Sequence, residues 1–325
     1  MTPAFRSPLG KLFIGRCETV LKAMPSLKGK VQLLLTSPPF PLKRKKKYGN
    51  LEGDRYLEWL TSLAPTFADL LTPDGSLVVE IGNAWEAGKP IQSLLPMKAL
   101  LAFVENPEAK LKLCQEFVCY NPARLPSPAQ WVTIDRIRVK DSFTRVWWMS
   151  TAEKPEADNK RVLKEYSKSM EELLARRGYN AGARPSEHVI SETGFLKKHK
   201  GAIPPNVIES GEEESDIVPT DLIEAANTGS NEGYQQFCRD NGLSVHPARM
   251  PFRLAEFFIK FLTKPGQLVL DPFAGSNTVG YAAESLGRRW VAIEADDDYA
   301  LASIARFDRD EAKELLAYLG MAEAV

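Results

Sequence analysis

The chain has no excess of charge of either sign: 42 Lys and Arg stand against 42 Asp and Glu. A polyanionic partner therefore cannot be read from the total, only from where the charges sit. Cysteine is scarce as well. The four present, Cys17, Cys114, Cys119 and Cys238, include no Cys-x-x-Cys pair, and the histidines stand far apart at 188, 199 and 246. That composition excludes a disulfide framework and predicts reduced thiols with no metal. No apolar run approaches the ~20 residues of a membrane span. Residues 1–9 hold two prolines, an Arg and a Ser where a signal peptide would carry an apolar core, so a cytoplasmic protein is expected. Gly-x-Gly-x-x-Gly is missing and no strand leads into Gly-Lys-Ser/Thr, which removes the usual dinucleotide and nucleoside-triphosphate loops. What remains is an ordinary globular composition, 325 residues with 44% hydrophobic and 26% charged, enough for one large domain or two smaller ones.

Against that background one stretch stands out, Thr36-Ser37-Pro38-Pro39-Phe40. The apolar residues from Val31 onward read as a strand buried on both faces. Two consecutive prolines end it, since neither donates a ladder hydrogen bond and each fixes its own φ. The product is a stiff elbow at the C-terminal edge of a sheet, where ligands bind in open α/β folds. Ser37 and the carbonyl of Pro38 can each accept an N–H, and Phe40 can stack on a flat ring. Directly after it, Lys43, Arg44, Lys45, Lys46 and Lys47 concentrate positive charge, while the acidic run Glu212-Glu213-Glu214 offsets them far away in sequence.

A second stretch, Asp271-Pro272-Phe273-Ala274-Gly275-Ser276-Asn277-Thr278, follows a short apolar run and opens a helix-like segment. Gly275 permits close approach of the backbone to a ligand, and the helix start near Asn277 and Thr278 favours a carboxylate. Glu294 ends the next strand, where an acid can accept two ribose hydroxyls. His246-Pro247 and Arg249 precede the helix 252–262.

The two motifs together resemble the amino-methyltransferases of DNA, which carry a Ser/Asn/Asp-Pro-Pro-aromatic motif and an Asp-Pro-Phe-x-Gly-Ser-like loop. The closer resemblance is to the PvuII-type cytosine-N4 enzymes of restriction–modification systems. In these, Ser-Pro-Pro-Phe is followed by a short basic stretch and Tyr-Gly-Asn-Leu-Glu, as at Tyr48 to Glu52 here. The resemblance covers roughly 10–150 and 246–310. It implies S-adenosyl-L-methionine as cofactor, held by Asp271, Pro272, Phe273, Gly275, Ser276, Asn277, Thr278 and Glu294 with His246 and Arg249 beside the methionine end. It implies catalysis at Ser37, Pro38, Pro39 and Phe40, double-stranded DNA as partner, and a cognate endonuclease acting separately on the same site. The family usually has an acid at the position of Arg16, so no adenine contact is carried over there. Asn121 to Pro128 matches a stretch that forms part of the family's target-base pocket.

The pattern of elements agrees with that fold class. Five strands are predicted before residue 150, at 11–14, 31–36, 76–81, 116–120 and 143–149, and two after 266, at 267–271 and 290–294. The expected architecture is α/β, a seven-stranded, mostly parallel methyltransferase sheet whose catalytic half precedes its cofactor half. Segments 10–150 and 246–325 form this discontinuous domain. Residues 151–245, charged and then rich in Gly, Pro, Ser, Asn and Glu, are expected to be a smaller helical or irregular recognition lobe. The helical period of 55–71 contains Pro65, which predicts a break.

These features predict methyl transfer to the exocyclic N4 of cytosine in duplex DNA, with the target base flipped out and Lys43 to Lys47 on phosphates. Serine before Pro-Pro tilts the choice to cytosine over N6 of adenine. Two further readings stay open: a protein-amide methyltransferase, whose Asn-Pro-Pro-Tyr motif and opposite motif order fit less well, and an inactive DNA-binding homologue.

Overall fold

The computed structural model describes residues 1–39, 53–86, 88–210 and 229–318. The chain divides into a larger compact unit, 1–157 with 206–325, and a smaller one, 158–205.

The larger unit begins with β1 (Phe5–Arg6), β2 (Gly10–Ile14), α1 (Cys17–Lys22) and β3 (Val31–Thr36). It continues with α2 (Gly53–Ser62), α3 (Ala64–Leu70), β4 (Leu71–Gly82), α4 (Leu95–Val104), β5 (Lys112–Tyr120) and β6 (Phe143–Ser150). The break foreseen at Pro65 falls between α2 and α3, with the proline in the first turn of α3 where its missing N–H has no helical partner to lose. The smaller unit holds α5 (Lys168–Arg176) and a two-stranded antiparallel sheet of β7 (Gly182–Ala183) and β8 (Val189–Ile190). After it the chain returns to the larger unit through β9 (Val207–Glu209), α6 (Gly229–Asp240), α7 (Phe252–Leu262), β10 (Leu268–Asp271), α8 (Thr278–Ser285), β11 (Arg289–Glu294), α9 (Asp297–Ile304) and α10 (Arg309–Tyr318).

Nine of these strands make one sheet in the order β1-β2-β11-β10-β3-β4-β6-β5-β9. The central pairs are parallel, β2 to β11, β11 to β10, β10 to β3 and β3 to β4, and β6 runs antiparallel between β4 and β5. All six residues of β3 are buried, as a central strand covered on both faces requires. Alternate side chains feed opposite layers. Leu33 and Leu35 join Val269, Trp148 and Phe258 on one face. Leu34 joins Leu270, Trp147 and Phe67 on the other. Trp147 and Trp148 thus sit on opposite faces, as consecutive strand residues must.

The sheet is wider than the seven strands expected. The lead-in 1–9 contributes β1, because Phe5 is buried and pairs across Leu12. At the far edge β9 adds to β5 in parallel. β4 also begins earlier than residue 76; a register shift against β3 between Val31 and Leu33 absorbs the turn-like Thr72 to Gly75. The second unit is shorter than the expected 151–245: residues 207–209 join the sheet, and Tyr234 and Cys238 of α6 pack on Ala302 of α9. Within it the helical pattern of 151–178 yields only α5 and a short 3-10 turn, Asn159–Val162. Among the described residues no helix is long and apolar enough to cross a membrane.

Candidate active site

Parallel pairing sets the geometry. Leu34 of β3 lies opposite Leu270 of β10, so both strands end at the same edge and release their loops side by side. The hydroxyl of Thr36 donates to Asp271 Oδ1 at 2.7 Å across 235 residues of sequence. Ser37, half-buried, and Pro38, buried, follow at once. The elbow and the Asp271 loop are therefore fastened together at their roots. Phe40 and the basic residues Lys43, Arg44, Lys45, Lys46 and Lys47, with Tyr48 to Glu52, lie outside the described residues.

Beneath Ser37 lies a carboxylate that the sequence reading passed over. Glu80 of β4 is 6% exposed and accepts a hydrogen bond from Thr144 Oγ1 at 2.8 Å. The Ser37 hydroxyl bonds to it too, and the Arg124 guanidinium stands near enough to favour its charge. Burial outweighs those three effects and pushes the Glu80 carboxyl up to about 7. The signal was present in the sequence: Ser-Leu-Val-Val-Glu-Ile places one carboxylate in an otherwise apolar run. Such a group is retained in a core only with partners.

The second loop is a cradle. Asp271 Oδ1 accepts both the Thr36 hydroxyl and the Phe273 N–H, the latter at 3.0 Å. Burial nevertheless raises the Asp271 carboxyl to about 7, with Glu294 nearby adding to the rise. Glu294 closes β11; its Oε2 accepts the Gly275 N–H at 2.6 Å and its Oε1 the Asp296 N–H at 2.9 Å. Its carboxyl is raised as well, chiefly by burial. A carboxylate offers about four acceptor sites. The Ala295 N–H bonds to Glu294 as well, and what is left of that capacity faces a ligand.

Gly275 has φ +52°, and a Cβ there would meet the His246 ring at 3.0 Å. This position needs glycine on both counts. Asn277 is also left-handed, φ 52°, a conformation asparagine tolerates, and its Oδ1 caps α8 by accepting from Gly280 N. The Asn277 amide nitrogen is buried with no hydrogen-bond partner among the described residues. Ser276 is fixed from behind by Arg306, whose Nε donates to the Ser276 carbonyl at 2.6 Å while its guanidinium lies 4.6 Å from the Tyr234 ring. Thr278 Oγ1 lies 3.3 Å from Ser276 Oγ. Phe273 packs edge-on against Trp59 and Phe67, with centroids 5.6 and 6.5 Å apart.

His246 stands over Gly275 and packs edge-on against Tyr299 at 4.6 Å. Arg249 Nη1 donates to the His246 carbonyl, while Arg249 Nε is buried without a hydrogen-bond partner among the described residues. Of the sequence-predicted groups, Ser37, Pro38, Pro39, Asp271 to Thr278, Glu294, His246 and Arg249 all belong to the larger unit, at or around one sheet edge. Thr36, Glu80, Thr144, Trp59 and Arg306 are the additions. Arg16, where the family's acid would stand, is exposed and pairs with Glu18, which also accepts from Trp59 Nε1 at 2.6 Å. Asp296 caps α9 through Tyr299 N, so the acidic run 296–298 begins as a helix start.

The donor set fits a zwitterionic nucleoside. Glu294 is an acceptor at the strand end for vicinal hydroxyls, the Asn277 amide and Arg249 Nε are donors with no partner among the described residues, and Gly275 keeps the backbone open between them.

Comparison with known proteins agrees. The model of the N6/N4 DNA methylase family matches residues 31–305. The chain is 39% identical over 307 residues to the type II methyltransferase M.PvuII of Proteus hauseri, covering 94% of this chain and 85% of the relative. The solved structure of the PvuII DNA methyltransferase, described as cytosine-N4-specific, superposes with a TM-score of 0.74 at 32% identity over 99% of this chain and 96% of the other. A complex of M1.HpyAVI with SAM shares the fold, with a TM-score of 0.51 at 17% identity over 92% of this chain and 100% of the other.

Proposed function

The chain belongs to the N6/N4 DNA methylase family, and from that premise we propose that it transfers a methyl group from S-adenosyl-L-methionine to N4 of cytosine in a specific duplex sequence. The observation that carries the reading is the junction of Thr36 with Asp271, which joins a two-acceptor elbow to a nucleoside cradle. A type II methyltransferase, M.PvuII, matches it over nearly its whole length, and the solved PvuII DNA methyltransferase is described as cytosine-N4-specific.

Bound S-adenosyl-L-methionine supplies a methyl on a sulfonium, a good leaving group. This chain's residues do the rest. Glu294 accepts the ribose hydroxyls, Arg249 and the Asn277 amide meet the methionine end, and Phe273 covers an apolar part of the donor. Asp271 keeps the loop in place through Thr36 and Phe273 N.

At the elbow, Ser37 Oγ and the Pro38 carbonyl each accept one N–H of the exocyclic amine. That pair of bonds orients the nitrogen, whose lone pair is otherwise delocalised into the ring, and proximity supplies much of the rate. Glu80 accepts the hydroxyl proton of Ser37, which leaves the serine's lone pairs facing the amine. As nitrogen acquires its new bond it sheds a proton. Ser37 Oγ takes that proton and passes its own to Glu80, whose raised affinity for protons suits the task.

A base inside a duplex cannot reach this pocket, so the target is extruded at a cost of a few kcal/mol. Phe40 stacks on it, and Lys43, Arg44, Lys45, Lys46 and Lys47 meet flanking phosphates. The 151–245 segment, which contains the smaller unit 158–205, reads the sequence. A cognate endonuclease cutting the same sequence is the partner in restriction–modification.

Incubation of the protein with labelled S-adenosyl-L-methionine and duplex DNA, followed by mass spectrometry of the nucleosides, is the test. N4-methylcytosine is expected, abolished in Ser37→Ala. N6-methyladenine as product overturns the base assignment, and label on protein alone overturns the DNA reading.

A further inference from the structure

The connection between β5 and β6, residues 121–142, carries a feature the reaction above does not use. Both strands meet at the catalytic edge: Tyr120 pairs with Phe143, and Gly82 at the end of β4 pairs with Thr144. The connection is pinned there. Asn83 Nδ2 donates to Asp141 at 2.9 Å, and Arg138 lies 3.7 Å over the Trp85 ring while donating to the Pro90 carbonyl. Lys140 Nζ donates to the carbonyl of Pro122 at 2.5 Å.

On the surface so formed is an open groove of ≈ 530 Å³, walled by Pro126, Val132 and Val139 and by the cations Arg136, Arg138 and Lys140. The segment's two acids, Asp135 and Asp141, keep their charge while accepting from the neutral amides of Gln130 and Asn83, but the cations of 121–142, Arg124, Arg136, Arg138 and Lys140, outnumber them and leave the connection positive. Val139 is 90% exposed between two cations, and Arg136 is exposed with φ 52°, a left-handed position that disfavours any side chain but glycine or asparagine. An arginine in that conformation, on a groove where cations outnumber acids and exposed apolar side chains stand between them, suits a phosphate flanked by a sugar.

We propose that this groove is a DNA-backbone subsite, holding the sugar–phosphate of a nucleotide that flanks the extruded base. Arg136 takes the phosphate, Lys140 adds to the field, and Val139 with Pro126 packs on the deoxyribose. The inference rests on the DNA-methylase reading and extends it to a second anchoring point, independent of Lys43 to Lys47.

The test uses the full chain and a cognate duplex in which single phosphates are replaced by neutral methylphosphonates. Wild-type protein should lose roughly tenfold in affinity at one flanking position, the scale of one charge-assisted hydrogen bond. Arg136→Gln should lose about the same on unmodified DNA and nothing more on that duplex. Its slope of log affinity against log salt should be shallower by about 0.9, one phosphate's share. S-adenosyl-L-methionine binding measured by calorimetry should be unchanged in Arg136→Gln and in the companion Val139→Ser, which reports that both are folded. Wild-type-like affinity and slope in Arg136→Gln, or losses that simply add at every phosphate, overturn the subsite. A change in sedimentation of the free variants with no change on DNA overturns it too, marking the groove as a contact between copies. Failure of wild-type protein to bind or methylate DNA at all overturns the underlying reading instead.

Discussion

At the scale of single residues, Glu80 is the group whose chemistry can be isolated most cleanly. Its carboxyl is raised to about 7 by burial, and it must be ionised to accept the proton of Ser37. Turnover should therefore rise as pH increases through about 7, and Glu80→Gln should remove that limb. A fall in kcat of about 100-fold, with the KM for S-adenosyl-L-methionine unchanged, is the expected size for loss of a positioned base. Steady-state kinetics from pH 5.5 to 9 checks it; an unaltered pH profile in the variant would assign Glu80 to packing. Gly275→Ala makes a separate point. A left-handed φ costs a non-glycine residue ~1–2 kcal/mol, and the new methyl would press on His246. Donor affinity measured by calorimetry should drop about tenfold or more.

Ser37 and Gly275 announced themselves because a proline pair stiffens the backbone locally and a glycine after a strand admits a turn or close approach that other residues resist. Arg306 did not, and Glu80 showed only as a lone acid in an apolar run, with nothing to say what it meets. Their partners, Ser37 and Thr144 for Glu80 and Ser276 and Tyr234 for Arg306, come from other elements, and only folding brings them within reach.

At the scale of elements, the sheet shows which local signals survive. β3, β10 and β11 were legible because a strand buried on both faces must be apolar throughout. The edge strands were not: β1 has two residues and β9 three, too short for an alternating pattern to register. Their existence depends on neighbours, Leu12 for Phe5 and Val118 for Val207. The start of β4 was read as a turn because Pro73, Asp74 and Gly75 are turn residues; pairing with β3 across a register shift prevailed. α9 offers an element-scale prediction. Asp296 accepts from Tyr299 N at 3.1 Å as N-cap, while only its backbone N–H serves Glu294. Asp296→Ala should cost ~1 kcal/mol in denaturant unfolding and leave donor affinity within about twofold, since the bond to Glu294 survives.

At the scale of the whole molecule, three carboxyls raised by burial, Glu80, Asp271 and Glu294, converge on one sheet edge. Each binds its proton more tightly folded than unfolded. Their contribution to stability is thus fully present below the ordinary carboxylate range and is lost as pH climbs to about 7, where Glu80 and Asp271 titrate in the fold. The ligand-free protein should lose stability between about pH 4.5 and 7.5 on account of these groups. Differential scanning fluorimetry of wild type against Glu80→Gln resolves one share of that slope, which should flatten in the variant. Saturating S-adenosyl-L-methionine, at about 100 times its Kd, should then add ~2.7 kcal/mol. The division at 158–205 was only coarsely legible: a shift in composition marks a lobe but not where the chain rejoins the sheet, which Val207 to Glu209 decide by pairing with β5.

The Thr36–Asp271 bond also has a consequence for how the protein is made. Its two ends are 235 residues apart, so at ~5–20 residues per second a ribosome delivers the second roughly 12–50 s after the first. Throughout that interval β3, entirely apolar but for Gln32 and Thr36, has β4 on one side and a bare hydrogen-bonding edge on the other. A nascent chain in that condition is open to adventitious strand pairing, and slow passage through the middle of the message would lengthen its exposure.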